Sequence, residues 1–110
     1  MGPTPYRPVR ELEGAIERGE LDFALAYARE LTRESKRPLD LELALGLLGL
    51  IALKRPQAYD AWALRWLGRW MCESRRPTIE TTARIAAALA ALPAAPPQGL
   101  ARVRSTWRPR

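Results

Sequence analysis

Residues 62–70 read WALRWLGRW, with a tryptophan at every fourth position and an arginine three residues after each of the first two tryptophans. At 100° per residue in a helix, Trp62, Trp66 and Trp70 fall within about 80° of one another, and the two arginines lie beside them. Further apolar residues, out to Leu64, widen the apolar arc to about 200°. This period predicts a helix, and the position of its aromatic face decides the fold.

The aromatic face is predicted to lie in the core. Three tryptophans that each bury about 200 Å² gain roughly 15 kcal/mol of gross transfer free energy, as much as the whole net stability of a typical domain. The chain has only one phenylalanine to replace them. Two alternatives stay open: a stacking platform for nucleic acid, with the rings in water, and a partly open stripe whose exposed ring edge binds a protein.

Three Arg-Pro pairs, at 37–38, 55–56 and 76–77, divide the chain around this helix. Proline suits the first turn of a helix and disfavours helix in the residue before it. With the apolar period, these pairs predict five helices, at about Val9–Arg18, Glu20–Ser35, Pro38–Lys54, Gln57–Ser74 and Thr78–Leu92. Short connections make successive helices antiparallel neighbours. We therefore expect an all-α, single small domain of four to five antiparallel helices, arranged as a bundle or a short α-solenoid-like unit.

The two ends of the chain differ from this helical domain. Residues 1–8 are predicted to be an extended N-terminal segment, and the helical domain covers residues 9–92. Residues 93–110 contain four prolines, one glycine and no acidic residue. This composition predicts a mobile, basic, Pro/Arg-rich C-terminal tail, with one docking turn around residues 100–103.

The predicted core combines the aromatic face with apolar positions of the other helices: Trp62, Trp66, Trp70, Leu67, Leu47, Leu50, Leu25, Ile85 and Leu89. In the third helix, Gly46, Gly49 and Ala52 place small residues three positions apart. Each glycine costs about 1 kcal/mol relative to alanine in a helix, so we expect a neighbouring helix to cross closely there. A ligand slot against the bare backbone is the alternative.

The residue inventory is poor in catalytic groups. Histidine is absent and Cys72 is the only cysteine, which excludes histidine-containing triads and leaves no ligand set for zinc or iron–sulfur clusters. The chain contains no glycine-rich phosphate-binding motif. We therefore expect a protein that is not an enzyme, with no cofactor, no metal and no evident small-molecule substrate, in which Cys72 is a structural residue of its helix.

The hydropathy pattern predicts a cytoplasmic protein. The longest uncharged apolar run, residues 43–53, is 11 residues long, whereas a bilayer span needs about 20. Residues 1–20 contain no apolar segment typical of a signal peptide. No membrane partner is expected.

The net charge of +6 lies entirely in the second half of the chain. Residues 1–55 contain 9 basic and 9 acidic side chains, whereas residues 56–110 contain 9 basic and 3 acidic ones. An acidic partner for this half, such as nucleic acid, would explain the asymmetry. The candidate anion or nucleic-acid contacts are Arg65, Arg69, Arg75, Arg76, Arg102, Arg104, Arg108 and Arg110. A GC-rich genome also explains why arginine outnumbers lysine 16 to 2.

Residues 74–93, SRRPTIETTARIAAALAALP, resemble the end of the Cro/C1-type helix-turn-helix family. There an Arg/Ser–Pro segment leads into a helix of the pattern ETLxRIAxAL, which follows the recognition helix. The resemblance implies DNA binding. It covers 20 residues, and the upstream stretch WALRWLGRWMCE has neither the tight turn nor the polar recognition helix that the family needs.

Three hypotheses on function follow from the sequence. The first is a non-enzymatic helical protein–protein interaction or scaffold module, with a protein partner or a homo-oligomer. The second is a DNA- or RNA-binding accessory or regulatory protein that uses the basic C-terminal half. The third is a subunit of a larger assembly, with the C-terminal tail threading onto a neighbouring subunit.

Overall fold

The computed structural model describes residues 7–107, with side chains from Val9 onward. This part of the chain contains six α-helices and no strand: α1 (Arg7–Arg18), α2 (Leu21–Ser35), α3 (Leu41–Lys54), α4 (Pro56–Glu73), α5 (Ile79–Ala91) and α6 (Pro96–Trp107), with a short 3₁₀ turn (Leu92–Ala94) before α6. The all-α class is confirmed, whereas the predicted count of four to five helices is not. Most of the predicted segment 1–8 lies outside the described residues, and α1 begins at Arg7.

Side-chain caps set the start of two helices. Thr78 Oγ1 accepts a hydrogen bond from the backbone N–H of Thr81 at 3.0 Å, so Thr78 is the N-cap of α5. Asp40 Oδ2 accepts from the N–H of Glu42 at 3.0 Å. Because Asp40 is the N-cap, α3 starts at Leu41, and the predicted start at Pro38 is wrong.

The centre of the fold is α3, which packs against α1, α2, α4 and α6. A Cβ added at Gly46 would lie 3.5 Å from Ile16 Cδ1 of α1, and one added at Gly49 would lie 2.9 Å from Leu100 Cδ1 of α6. The small-residue positions of α3 therefore face neighbouring helices. The predicted close crossing is confirmed, and side chains of this chain occupy the space proposed for a ligand.

The predicted C-terminal tail is not confirmed, because residues up to Trp107 form the packed helix α6. Leu100, Val103 and Trp107 share one helix face, and Val103 is fully buried. The Trp107 ring meets the Trp66 ring edge-on, with centroids 5.7 Å apart. The two prolines at residues 96–97 occupy the first turn of α6, where proline is tolerated. They begin a helix rather than prevent one.

Candidate interaction surface

The inner side of α4 joins it to the rest of the fold. Trp66 and Trp70 are each only 3 % exposed, and Trp66 Nε1 donates a hydrogen bond to the Leu41 carbonyl at 3.0 Å. Trp66 thus contacts the first turn of α3 through its N–H and α6 through its ring edge. Trp66 therefore holds α4 against both helices.

Trp62 differs from the other two tryptophans of α4, since it is 37 % exposed. The guanidinium carbon of Arg65 lies 5.5 Å from the centre of its ring, within the range of a cation–π contact. Both residues border a cavity of about 200 Å³ between α3 and α4, which Arg69 also lines. The stripe is therefore buried at two rings and open at one edge.

The remaining predicted core residues fall into two groups. Leu47, Leu50, Ile85 and Leu89 are buried. Leu25 and Leu67 are half-buried and pack against the core. Leu67 is half-buried because it borders a gap between α4 and α5, which has a volume of about 220 Å³ and is lined mostly by apolar side chains.

Tyr59 lines this gap and joins α4 to α5. Its hydroxyl donates a hydrogen bond to the Leu89 carbonyl at 2.7 Å. Burial of the hydroxyl, and the nearby Asp60 carboxylate, raise the pKa of Tyr59 from 10.0 to about 12. The neutral phenol is therefore part of the folded state.

We expect Tyr59 to make the protein less stable at alkaline pH. The folded state keeps the phenol proton up to about pH 12, whereas the unfolded chain loses it near pH 10. The contribution of the neutral phenol to the free energy of unfolding is complete below pH 10. It falls by about 2 to 3 kcal/mol as the pH rises through 12. Urea unfolding of the wild type and of Tyr59→Phe between these pH values measures it. The difference in the free energy of unfolding between the wild type and Tyr59→Phe should change with pH. A constant difference would contradict the raised pKa of Tyr59 in the folded state.

The outer side of α4 presents an uncharged stripe of four exposed residues, Ala61, Leu64, Gly68 and Met71, which we call the outer face. Leu64 is 68 % exposed and Met71 is 44 % exposed. Their spacing of three, four and three residues is that of a coiled-coil seam. Exposed apolar residues in such a series are typical of a surface that binds another helix.

Sequence reasoning did not separate this outer face from the core. The signal was the 200° width of the apolar arc of α4, which exceeds what one buried face needs. Cys72 is also exposed, next to the outer face, rather than packed as a structural residue.

The candidate arginines are spread over several elements. Arg69 donates to Glu73 at 3.0 Å within α4, and Arg104 of α6 is paired with Glu42 of α3. Arg75, Arg76 and Arg102 are exposed and form no ion pair with the described residues. Arg108 and Arg110 lie outside the described residues. Carboxylates thus neutralise two of the six described arginines.

Within residues 7–107, no group of three acidic or cysteine side chains is arranged to hold a metal ion. No helix there combines the length and the hydropathy needed to cross a membrane.

No family model, curated protein or solved structure matches the chain. Residues 74–93, which resemble part of the Cro/C1-type family, form the loop after α4, α5 and the turn that follows it. The 18 residues of α4 form one helix without an internal turn. The tight turn that the family needs is therefore not formed within residues 56–73.

Proposed function

We propose that this protein is a non-enzymatic helical interaction module, a subunit of a larger assembly, and that its docking surface is the outer face of α4. The observation that carries the proposal is the exposure of Leu64 and Met71 on the side of α4 that points away from the core. Burying a leucine or methionine side chain contributes about 1.5–3 kcal/mol. In the isolated chain neither residue makes this contribution in full.

The shape of the surface favours a helical partner. The outer face continues into the apolar gap between α4 and α5, where Leu64 and Leu67 face Ala86 and Ala90. A ridge of large and small side chains beside a shallow gap fits the ridge of another helix. The open edge of Trp62 lies on a different side of α4, beside α3, and Arg65 covers it in part.

Site-specific photo-crosslinking in the cells that produce the protein tests the proposal. A photoreactive residue at Leu64 should form a covalent adduct with a protein. The matched control is Leu53, a leucine at the end of α3 that is 64 % exposed, where we expect no adduct. No adduct at Leu64, or equal adducts at both positions, would contradict an interaction through the outer face.

Nucleic acid remains the second candidate partner, because Arg75, Arg76 and Arg102 are exposed without ion pairs among the described residues. About five phosphate contacts give a slope near −4 to −5 for log K against log salt. The Arg75→Ala/Arg76→Ala double variant should reduce that slope by about 2. Absence of binding to duplex and single-stranded DNA at low salt would remove this candidate.

A further inference from the structure

We propose that the occupant of the outer face is a second copy of this chain, packed antiparallel, with Gly68 of each copy at the two-fold axis. This inference rests on the proposed function and names its partner. Two observations support it: a glycine exposed at the centre of the outer face, and opposite charges near the two ends of α4 that form no ion pair among the described residues.

Gly68 faces open space in the part of the chain that the structure describes. A Cβ added there would meet nothing within 4 Å, whereas one added at Gly49 would meet Leu100 at 2.9 Å. Glycine in the middle of a helix costs roughly 0.5–1 kcal/mol relative to alanine. Close approach of another backbone at the centre of the outer face gives this glycine a structural role, as Gly49 has inside the fold.

The charges near the outer face are self-complementary. Asp60 lies near the start of α4, while Arg75 and Arg76 follow its end. None of the three forms an ion pair with the described residues. If two copies pack antiparallel about Gly68, Asp60 of each copy lies toward the end of the other copy's α4, which Arg75 and Arg76 follow. A parallel pair would place like charges together, so the charges favour the two-fold antiparallel arrangement.

The area of the outer face limits the affinity of this dimer. A helix of 18 residues is about 27 Å long and about 10 Å wide, so α4 and the adjacent side of α5 offer a face on the order of 500 Å² in projection. Stable interfaces bury about 800 Å² per partner. We therefore expect a dimer that dissociates in the micromolar range.

The arrangement places Leu64 of one copy opposite Cys72 of the other, since both are four residues from Gly68. In the Leu64→Cys variant, mild oxidation should link the introduced thiol to Cys72 of the second copy and convert most of the protein into a reducible dimer. Within one chain, position 64 lies about 12 Å along the helix axis from Cys72, too far for a disulfide. The wild type and the Leu64→Cys/Cys72→Ser variant should therefore stay uncrosslinked.

Charge exchange tests the identity of the partner. Asp60→Arg should raise the dissociation constant in sedimentation about tenfold, because it places a third positive charge at the end of the interface where Arg75 and Arg76 of the other copy lie. Adding Arg76→Asp in the same chain should restore dimerisation, which happens only if the partner is a second copy. Leu64→Lys should abolish the dimer while the matched Leu53→Lys leaves it intact, with circular dichroism to verify that each variant is folded.

Three results would overturn the dimer. Crosslinking of the wild type through Cys72, or of the Leu64→Cys/Cys72→Ser variant, would indicate parallel packing. Failure of Arg76→Asp to restore the Asp60→Arg variant would contradict the charge pairing. A strict monomer at millimolar concentration would exclude the second copy, and an adduct of Leu64 with a different protein would then leave the interaction function in place.

Discussion

Replacing Trp66 with alanine is expected to lower the free energy of unfolding by about 4 kcal/mol. The ring is only 3 % exposed, so the substitution removes most of a large apolar surface from the core and leaves a cavity. It also removes the hydrogen bond to the Leu41 carbonyl and the edge-on contact with Trp107. Three helices lose a shared contact.

The matched control is Trp62→Ala, which removes the same side chain from the same helix. Because Trp62 is 37 % exposed and has no hydrogen bond to its indole N–H among the described residues, we expect a loss of about 1 kcal/mol. Urea unfolding measures the loss in free energy of unfolding for both variants, provided that the m-value stays constant. The Trp66 variant should also melt roughly 20 °C lower than the wild type. Equal losses at the two positions would contradict the separation of buried and open rings in α4.

Replacing Val103 with aspartate is expected to be comparably severe. Val103 is fully buried in α6, so the change removes about 2 kcal/mol of apolar burial and adds the cost of burying a carboxylate, several kcal/mol more. The sum approaches the whole stability of a typical domain. We expect α6 to separate from α3 and α5, or the chain to unfold at ambient temperature.

Arg102→Asp is the control for Val103→Asp, because it introduces the same carboxylate one residue earlier, at an exposed position. Its effect should stay within about 0.5 kcal/mol. Thermal unfolding by circular dichroism and limited proteolysis within residues 93–107 measure both variants. If residues 93–110 were an extended tail, the two variants would be equally harmless, so this pair decides between the tail and α6.

Local signals predicted much of the fold. The Arg-Pro pairs and the apolar period are short-range features, and they placed five of the six described helices to within a few residues. The missed helix shows where this reasoning fails. Leu100, Val103 and Trp107 have helical spacing, but the prolines and arginines around them are also typical of tails. Only packing against α5, α3 and the 3₁₀ turn makes helix formation favourable there.

The candidate site was less predictable than the fold. Periodicity predicted the apolar arc of α4, including Leu64 and Met71, but an arc of 200° has two sides. Which side is covered depends on where α3, α5 and α6 pack, and that information is not local to α4. The exposure of Gly68 could not be read from sequence either, because a helical glycine inside the fold and one on its surface have the same local pattern.

The sequence by itself determined the helical class, most helix boundaries and the aromatic face of α4, because these depend on residues within one or two helical turns of each other. Only the tertiary structure decided that α6 is packed, that Trp62 stays partly open, and that Leu64, Gly68 and Met71 form an exposed stripe. The physical reason is that burial is shared between segments distant in the chain. The hydrophobicity of a side chain sets the free energy that is gained when it leaves water. Whether it leaves water depends on the segments that pack around it.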